Sequence, residues 1–460
     1  MSASGPRAPQ PRTPTRRASA ARRVAAEVLA AVREDDAYAN LLLPSRIAAA
    51  RLSPADAALA TELTYGTLRM QGRYDRIVRL AAGRETDAID PAVLDVLRLG
   101  IHQLLATRIP PHAAVGDTVA LAPRRATGFV NGVLRAVSRA TAEEWDARIA
   151  EGLDGDARLA AEHSHPAWVV AALRDALAAD GRAGELVELL AADNVAPAVS
   201  LVALPGLAEV SELGEPGGLS PVAARAPGGD PSGVPAVREG RGRVQDEGSQ
   251  LAALVLSRSR TVAPGERWLD LCAGPGGKAA LLAAEAARGG ATLLANELVP
   301  ARAGLVRRAL AVLDPAPEVV VGDGARFGET HSGAFDRILL DAPCTGLGAL
   351  RRRPEARWRK QPGDVPELVE LQGRLLDAAI AALAPGGLLA YVTCSPHPAE
   401  TREVVAAALA RHPDLEALDT RAVAAGIATG DLGDGVGPAL QLWPHRHGSD
   451  AMFIQLLTRP

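Results

Sequence analysis

Past Gln250 the chain alternates short runs of β-forming residues with helical ones, and this alternation constrains its fold more than any other feature. RWLDLC (267–272) precedes a helical pattern at 276–288, and ATLLANE (291–297) precedes another at 300–313. EVVVGD (318–323) follows, then FDRILLD (335–341) with a helix over 367–384, and LLAYVTCS (388–395) with a helix over 398–411. Such order predicts an α/β Rossmann-like domain, a mostly parallel sheet covered by helices on both faces. Ligands of these sheets bind beyond the carboxyl ends of the strands, so the chemistry is expected in the residues just after each run.

The first half reads differently. ARRVAAEVLAAV and DPAVLDVLRLGIHQLLA repeat apolar residues at spacings of three and four, and Ser53-Pro54-Ala55-Asp56 has the form of a helix start. With 460 residues the chain exceeds one ordinary core. Four regions are expected: a disordered basic arm (1–20), an all-α domain (21–145), a helical and small mixed connecting region (146–245) and the α/β domain (246–460). Within the third, VSLVAL (199–204) reads as a strand and 205–243 is crowded with glycine and proline. No apolar stretch is long enough to span a bilayer, and the first residues lack the apolar core of a secretory signal. A cytoplasmic protein with no membrane partner is expected.

The site residues group by strand. After the first run comes Cys272-Ala273-Gly274-Pro275-Gly276-Gly277-Lys278, a glycine-rich turn into a helix whose free N–H groups face a ligand. Glu297 ends the second run, where an acid accepts from ribose hydroxyls, and Asp323 ends the third, within reach of an adenine amine. The third glycine of the dinucleotide fingerprint is absent, and no phosphate-binding P-loop can be aligned.

The fourth run ends in Asp341-Ala342-Pro343-Cys344 and the fifth in Thr393-Cys394. The chain has three cysteines, Cys272 being the third, and their spacing fits neither a disulfide framework nor a metal site. Two thiols and an acid beside a nucleoside-bearing cofactor suit methylation of a cytosine at C5. A thiolate adding at C6 makes C5 nucleophilic, and a base then removes the C5 proton as the thiol leaves. Enzymes that methylate exocyclic amines need no such adduct, and they favour an Asp/Asn-Pro-Pro-Tyr/Phe element where DAPC stands here. In this reading Cys394 attacks, Asp341 holds the N3 edge, Cys344 assists release and Lys278 orients Asp341 or the base. Lys278 draws notice because only two of the 50 basic residues, Lys278 and Lys360, are lysine.

Net charge is −4, so any RNA contact must be local. Arg351, Arg352, Arg353, Arg357, Arg359 and Lys360 face only Glu355 over ten residues, with Trp358 among them. Cations for phosphates and an aromatic ring for an extruded base predict RNA binding through Arg351, Arg352, Arg353, Arg357 and Trp358. His445 and His447 are expected to pack on the substrate side without a metal.

VQDEGSQLAA (244–253), LDLCAGPGGKA, DAPCTGLGALRRRPEARW, VTCSPHPAE and RHGSDAMF (446–453) together resemble motifs of the bacterial ribosomal-RNA cytosine-C5 methyltransferases of the RsmB/Sun type. The resemblance runs from about 21 to 458. DAALATELTYGTLR, RLGIHQLLATRIPPHAAV and GFVNGVLR are similar to the NusB-like helical domain those enzymes carry. The resemblance implies S-adenosylmethionine as cofactor, with 272–278, Glu297, Asp323 and Asp341 lining its site. It further implies Cys394 as nucleophile, Cys344 as the release residue, and small-subunit (16S) ribosomal RNA as substrate; a monomer is expected. Two alternatives stand beside it: a transfer-RNA cytosine-C5 methyltransferase, and a non-catalytic RNA-binding factor of ribosome assembly.

Overall fold

The computed structural model describes residues 18–460, and the basic arm lies outside them apart from its last three residues. The chain divides into two compact units, Met1–Asp154 and Gly155–Pro460.

The described part of the first unit is helical, as the apolar spacing predicts. Ser53 caps the helix Pro54–Arg69 by accepting from Asp56 N at 3.2 Å, with Pro54 in its first turn. The helix Pro91–Ala106 is buried along much of its length. Its His102 accepts no space from its neighbour: a Cβ at Gly66 would lie 2.1 Å from the imidazole. Two apolar clusters fill the unit, one around Leu97, Ile101 and Leu134 and one around Val28, Leu63 and Leu99.

The second unit begins with helices at Gly155–His163, Ala167–Ala179 and Leu186–Ala192. The sequence reading assigns them to a connecting region, whereas they pack into this unit: Leu173, Leu177 and Leu190 share a cluster with Leu347, Leu350 and Trp443. Asp180 secures that packing, accepting from Trp443 Nε1 and Arg402 Nη2, each at 2.8 Å. The glycine- and proline-rich stretch then folds into a small antiparallel sheet. Its strands are β1 (Ser200–Ala203), β2 (Glu215–Pro216), β3 (Ala223–Arg225) and β4 (Gly242–Val244), in the order β2-β3-β1-β4.

The large sheet comprises β5 (Arg267–Asp270), β6 (Thr292–Glu297), β7 (Glu318–Val321), β8 (Phe335–Asp341), β9 (Leu383–Thr393), β10 (Glu416–Ala417), β11 (Leu440–Gln441) and β12 (Phe453–Thr458). Its order is β10-β12-β9-β8-β5-β6-β7, with β11 on β12. Strands β5 to β9 are mutually parallel, while β12 runs antiparallel to β9. Side chains alternate between two cores: Trp268, Leu339 and Ala390 lie in one, and Leu269, Leu340 and Tyr391 in the other. The chain moves outward from β5 to β7 and returns to β8 on the opposite side of β5. That reversal opens a crevice between β5 and β8 at their carboxyl ends. No helix among the described residues is long and apolar enough to cross a membrane.

Arg337 anchors the far end of β8. Fully buried and stacked over Trp268, it donates to Glu266 at 2.7 Å and to the carbonyls of Leu256, Ser257, Arg260 and Thr261. Arg337→Met removes the cation that neutralises Glu266, leaving that carboxylate only Trp268 Nε1 and Ala263 N, and takes a donor from each of those carbonyls. The expected loss is about 3–5 kcal/mol of stability, read from denaturant unfolding. A loss under about 1 kcal/mol would contradict this account.

Candidate active site

The glycine-rich turn leaves β5 and enters the helix Gly277–Gly289 with Gly276 as its first cap, at φ 91°. A side chain there is excluded twice over: the backbone is left-handed, and a Cβ would lie 2.7 Å from that of Ala309. Glu297, buried at the end of β6, accepts from Gly274 N at 2.9 Å and Val299 N at 3.0 Å. It therefore shapes the turn as well as facing the crevice. Asp323 is exposed, and one oxygen accepts from Ala325 N at 3.0 Å.

Across the crevice, Lys278 Nζ donates to Asp341 Oδ2 at 2.7 Å. Burial works against the ammonium, yet Asp341, with Cys394 and Asp270 nearby, more than offsets it and raises the Lys278 pKa. Asp270 itself, the last residue of β5, is fully buried, and among the described residues no side chain hydrogen-bonds to either of its oxygens. Burial, reinforced by Asp341, pushes it up to about 8. Cys272 is pushed up too, by burial and then by the carboxylates of Asp270, Asp341 and Glu297, which makes it a poor nucleophile.

The two remaining cysteines meet. Cys344 Sγ and Cys394 Sγ are 3.5 Å apart, both half-buried, beyond the ends of β8 and β9. They titrate as a pair in opposite directions. The hydrogen bond from Cys344 lowers Cys394, helped by the charges of Lys278 and Arg353, while Cys394 and burial raise Cys344 well above its usual range. Of the two, Cys394 is the thiol that ionises more readily.

Three residues that the sequence reading passed over hold these loops. Glu400, buried, accepts from Thr345 N at 2.7 Å and Thr345 Oγ1 at 2.5 Å. Gln372 Nε2 donates to Pro343 O at 2.8 Å and to Glu400 at 3.2 Å. Gly348 N donates to Cys394 O at 2.8 Å, and a Cβ there would sit 2.1 Å from Ala451 O. Glu400 stands six residues after Cys394 in VTCSPHPAE, so only its place in a quoted motif pointed to it.

The arginine run needs correction. Arg357 is fully buried, donating to Ser164 O at 3.0 Å, Asn194 Oδ1 at 2.9 Å and Asp193 O at 3.2 Å. Arg351 is buried and donates to Gly448 O at 2.8 Å. Both hold the unit together instead of facing RNA. Arg352 is half-buried between Asp450 at 3.1 Å and Asp246 at 2.5 Å, Trp358 is half-buried, and Arg353 is exposed. His445 and His447 are structural as well, the first bonded to Glu185 at 2.8 Å and the second to Trp443 N at 2.8 Å. Among the described residues no cluster of His, Cys, Asp and Glu could hold a metal ion.

The raised Asp270 carries a consequence for stability. Its folded pKa, about 8, lies above the unfolded value of about 3.9, so the stability it contributes is complete below the latter and lost as pH rises through the former. Asp270→Asn should therefore lose less stability than the parent between pH 5 and 8.5, measured by urea midpoints. Equal losses in the two proteins would argue against a protonated Asp270.

The crevice suits a donor bearing an amine and a nucleoside: an unanswered buried carboxyl under a glycine turn, with acids closing β6 and β7. Comparisons with known proteins agree. Residues 260–458 match the family model 16S rRNA methyltransferase RsmB/F, and residues 19–139 match the NusB family. A Mycobacterium tuberculosis protein named as a methyltransferase, Rv1407, is 49% identical over 98% of this chain and 99% of its own. The ribosomal RNA small subunit methyltransferase B of Pseudomonas putida is 36% identical over 86% of this chain and 91% of its own. The crystal structure of PH0851 superposes with a TM-score of 0.75 at 22% identity, covering 95% of this chain and 98% of that one, a likeness of fold. With its helical NusB region, its parallel sheet and these relatives, the chain belongs to the RsmB/F family of S-adenosylmethionine-dependent 16S rRNA methyltransferases.

Proposed function

We propose that this protein methylates C5 of a cytosine in small-subunit ribosomal RNA, with Cys394 as nucleophile. The observation that carries the reading is the coupled thiol pair, 3.5 Å apart, at the mouths of two central parallel strands. Methylation of an exocyclic amine would leave that pair without a task.

The Cys394 thiolate adds at C6, and the C5=C6 electron pair becomes available at C5. Asp341, held by Lys278, faces the N3 edge and shares a proton with it, which draws electron density from the ring. S-adenosylmethionine, when bound along Asp270, the 272–278 turn, Glu297, Asp323 and Asp341, supplies the methyl group. Once Cys394 is bonded to carbon its charge is gone, and with it the main influence that keeps Cys344 protonated. Cys344 then gives its own proton to solvent and, as the base, takes the C5 proton. The C–H pair restores the C5=C6 double bond, and the C6–S pair returns to Cys394. Two residues thus alternate as thiolate within one turnover.

The target base must leave any stack to reach Cys394, at a cost of a few kcal/mol that falls if it is already unpaired. Arg353, exposed and close enough to lower Cys394, is assigned to phosphate, and the half-buried Trp358 to base stacking. Arg352 supports that strand of contacts from its pairs with Asp246 and Asp450.

Incubation with labelled S-adenosylmethionine and unmodified small-subunit ribosomal RNA should place label in 5-methylcytidine. Label in another nucleoside, or in transfer RNA alone, refutes the assignment. Cys394→Ala should lose at least about 10³-fold in turnover, as removal of an acting nucleophile does. Cys344→Ala should accumulate an enzyme–RNA adduct stable on a denaturing gel, and absence of that adduct tells against its role in release.

The pH dependence has a definite sign. Lys278 favours the Cys394 thiolate, so Lys278→Met should move the rising limb of the single-turnover rate to higher pH. An unmoved limb would mean that Cys394 gains its thiolate character elsewhere.

A further inference from the structure

Ladder pairing between β8 and β9 ends at Asp341 and Val392, with a last backbone bond from Ala342 N to Val392 O at 2.8 Å. Cys344 and Cys394 lie past that point, on loops no longer held by the sheet. What holds them is a buried carboxylate and its partners. The two residues flanking Cys344 are each tied down: Pro343 O accepts from Gln372 Nε2, and Thr345 gives both its N–H and its hydroxyl to Glu400. Thr345 Oγ1 also meets Ser395 Oγ at 3.0 Å, next to Cys394. Glu400 is itself fixed to β9, since Tyr391 OH donates to its backbone carbonyl at 2.8 Å.

We infer that Glu400 is a positioning residue for the release step: through Thr345 and Gln372 it sets Cys344 against the adduct formed on Cys394. The inference rests on the nucleophile and release roles proposed above. Glu400 touches neither cysteine's sulfur in a hydrogen bond, so its action runs through the loop. Attack needs Cys394, whose carbonyl is held directly by Gly348 N, whereas the clamp reaches its neighbour Ser395 only through the Thr345 hydroxyl. Release needs the second thiol at a distance set by the clamp. In that step Cys344 takes the C5 proton, the C–H pair forms C5=C6, and the C6–S pair leaves on Cys394. Misplacing a reacting group by about 1 Å costs on the order of 10²-fold in rate.

Glu400→Asp tests this while keeping the charge, because the shorter side chain withdraws the carboxylate from Thr345. Thr345→Val removes the hydroxyl from the clamp and leaves Glu400 in place. Both variants, with both cysteines present, should methylate RNA in the first turnover and then stall. Steady-state kcat should fall by on the order of 10²-fold for Glu400→Asp and less for Thr345→Val, with KM for RNA falling alongside it so that kcat/KM changes little. The covalent enzyme–RNA species, absent in the parent, should appear on a denaturing gel. Parental turnover with no adduct in both variants overturns the positioning role. So does a parallel fall in the first-turnover burst, donor binding and melting temperature, or failure of both variants to fold, since Glu400 is then a structural keystone only. Cys344→Ala serves as the control: if it traps no adduct, the release role proposed for Cys344 fails and the positioning role falls with it. If Cys344→Ala traps the adduct and the clamp variants do not, the chemistry stands and only the positioning is wrong.

Discussion

The site depends on where the parallel ladder between β8 and β9 stops. Up to Asp341 and Val392 each strand answers the other's backbone groups. Beyond them the chain must turn away while staying in the interior, where unanswered N–H and C=O groups are costly. Glu400, Gln372 and Gly348 resolve this with hydrogen bonds that the sheet no longer makes. The same bonds bring two thiols within 3.5 Å. Reactivity at the site is thus built from the way a strand pair is terminated.

Charge is arranged with equal economy. Asp270 and Asp341 end the neighbouring strands β5 and β8 and feel each other's charge, and one ammonium, Lys278, acts on both while hydrogen-bonding to Asp341. Burial, with the charge of Asp341 beside it, outweighs the help of Lys278 at Asp270, which retains a proton into the neutral range, while the ammonium bonds to Asp341. The cysteines obey the same logic. A low-dielectric pocket disfavours two thiolates side by side, and the contact between them lowers Cys394 while it raises Cys344.

The arginines show how local sequence misleads. Between 351 and 360 the chain offers six basic residues against one acid, which on its own reads as an exposed basic surface. The partners come from far away: Gly448 and Asp450 for Arg351 and Arg352, Asp246 for Arg352, and Ser164, Asp193 and Asn194 for Arg357. Planar guanidinium groups suit such duty, since each can satisfy several carbonyl and carboxylate oxygens at once. Arg353 is the member of the run that stays exposed and whose charge reaches Cys394.

Much of the architecture was legible in the sequence because it follows from local periodicity. Apolar residues at three and four marked the helices around 91–106, and alternating runs marked β5 to β9 in their chain order. Strand-end position also exposed Lys278, Asp341, Cys344 and Cys394, since ligands of parallel sheets gather at that edge. Tertiary structure decided the rest. The helices at 155–192 joined the second unit because their apolar faces match Leu347, Leu350 and Trp443, residues more than 150 positions on. The glycine- and proline-rich stretch became a sheet through pairings spanning tens of residues. Asp270 showed no special role until the fold buried it away from water, and Glu400 none until Thr345, 55 positions earlier in the chain, came to it. Periodicity is a property of neighbours in sequence, whereas desolvation and pairing are properties of neighbours in space.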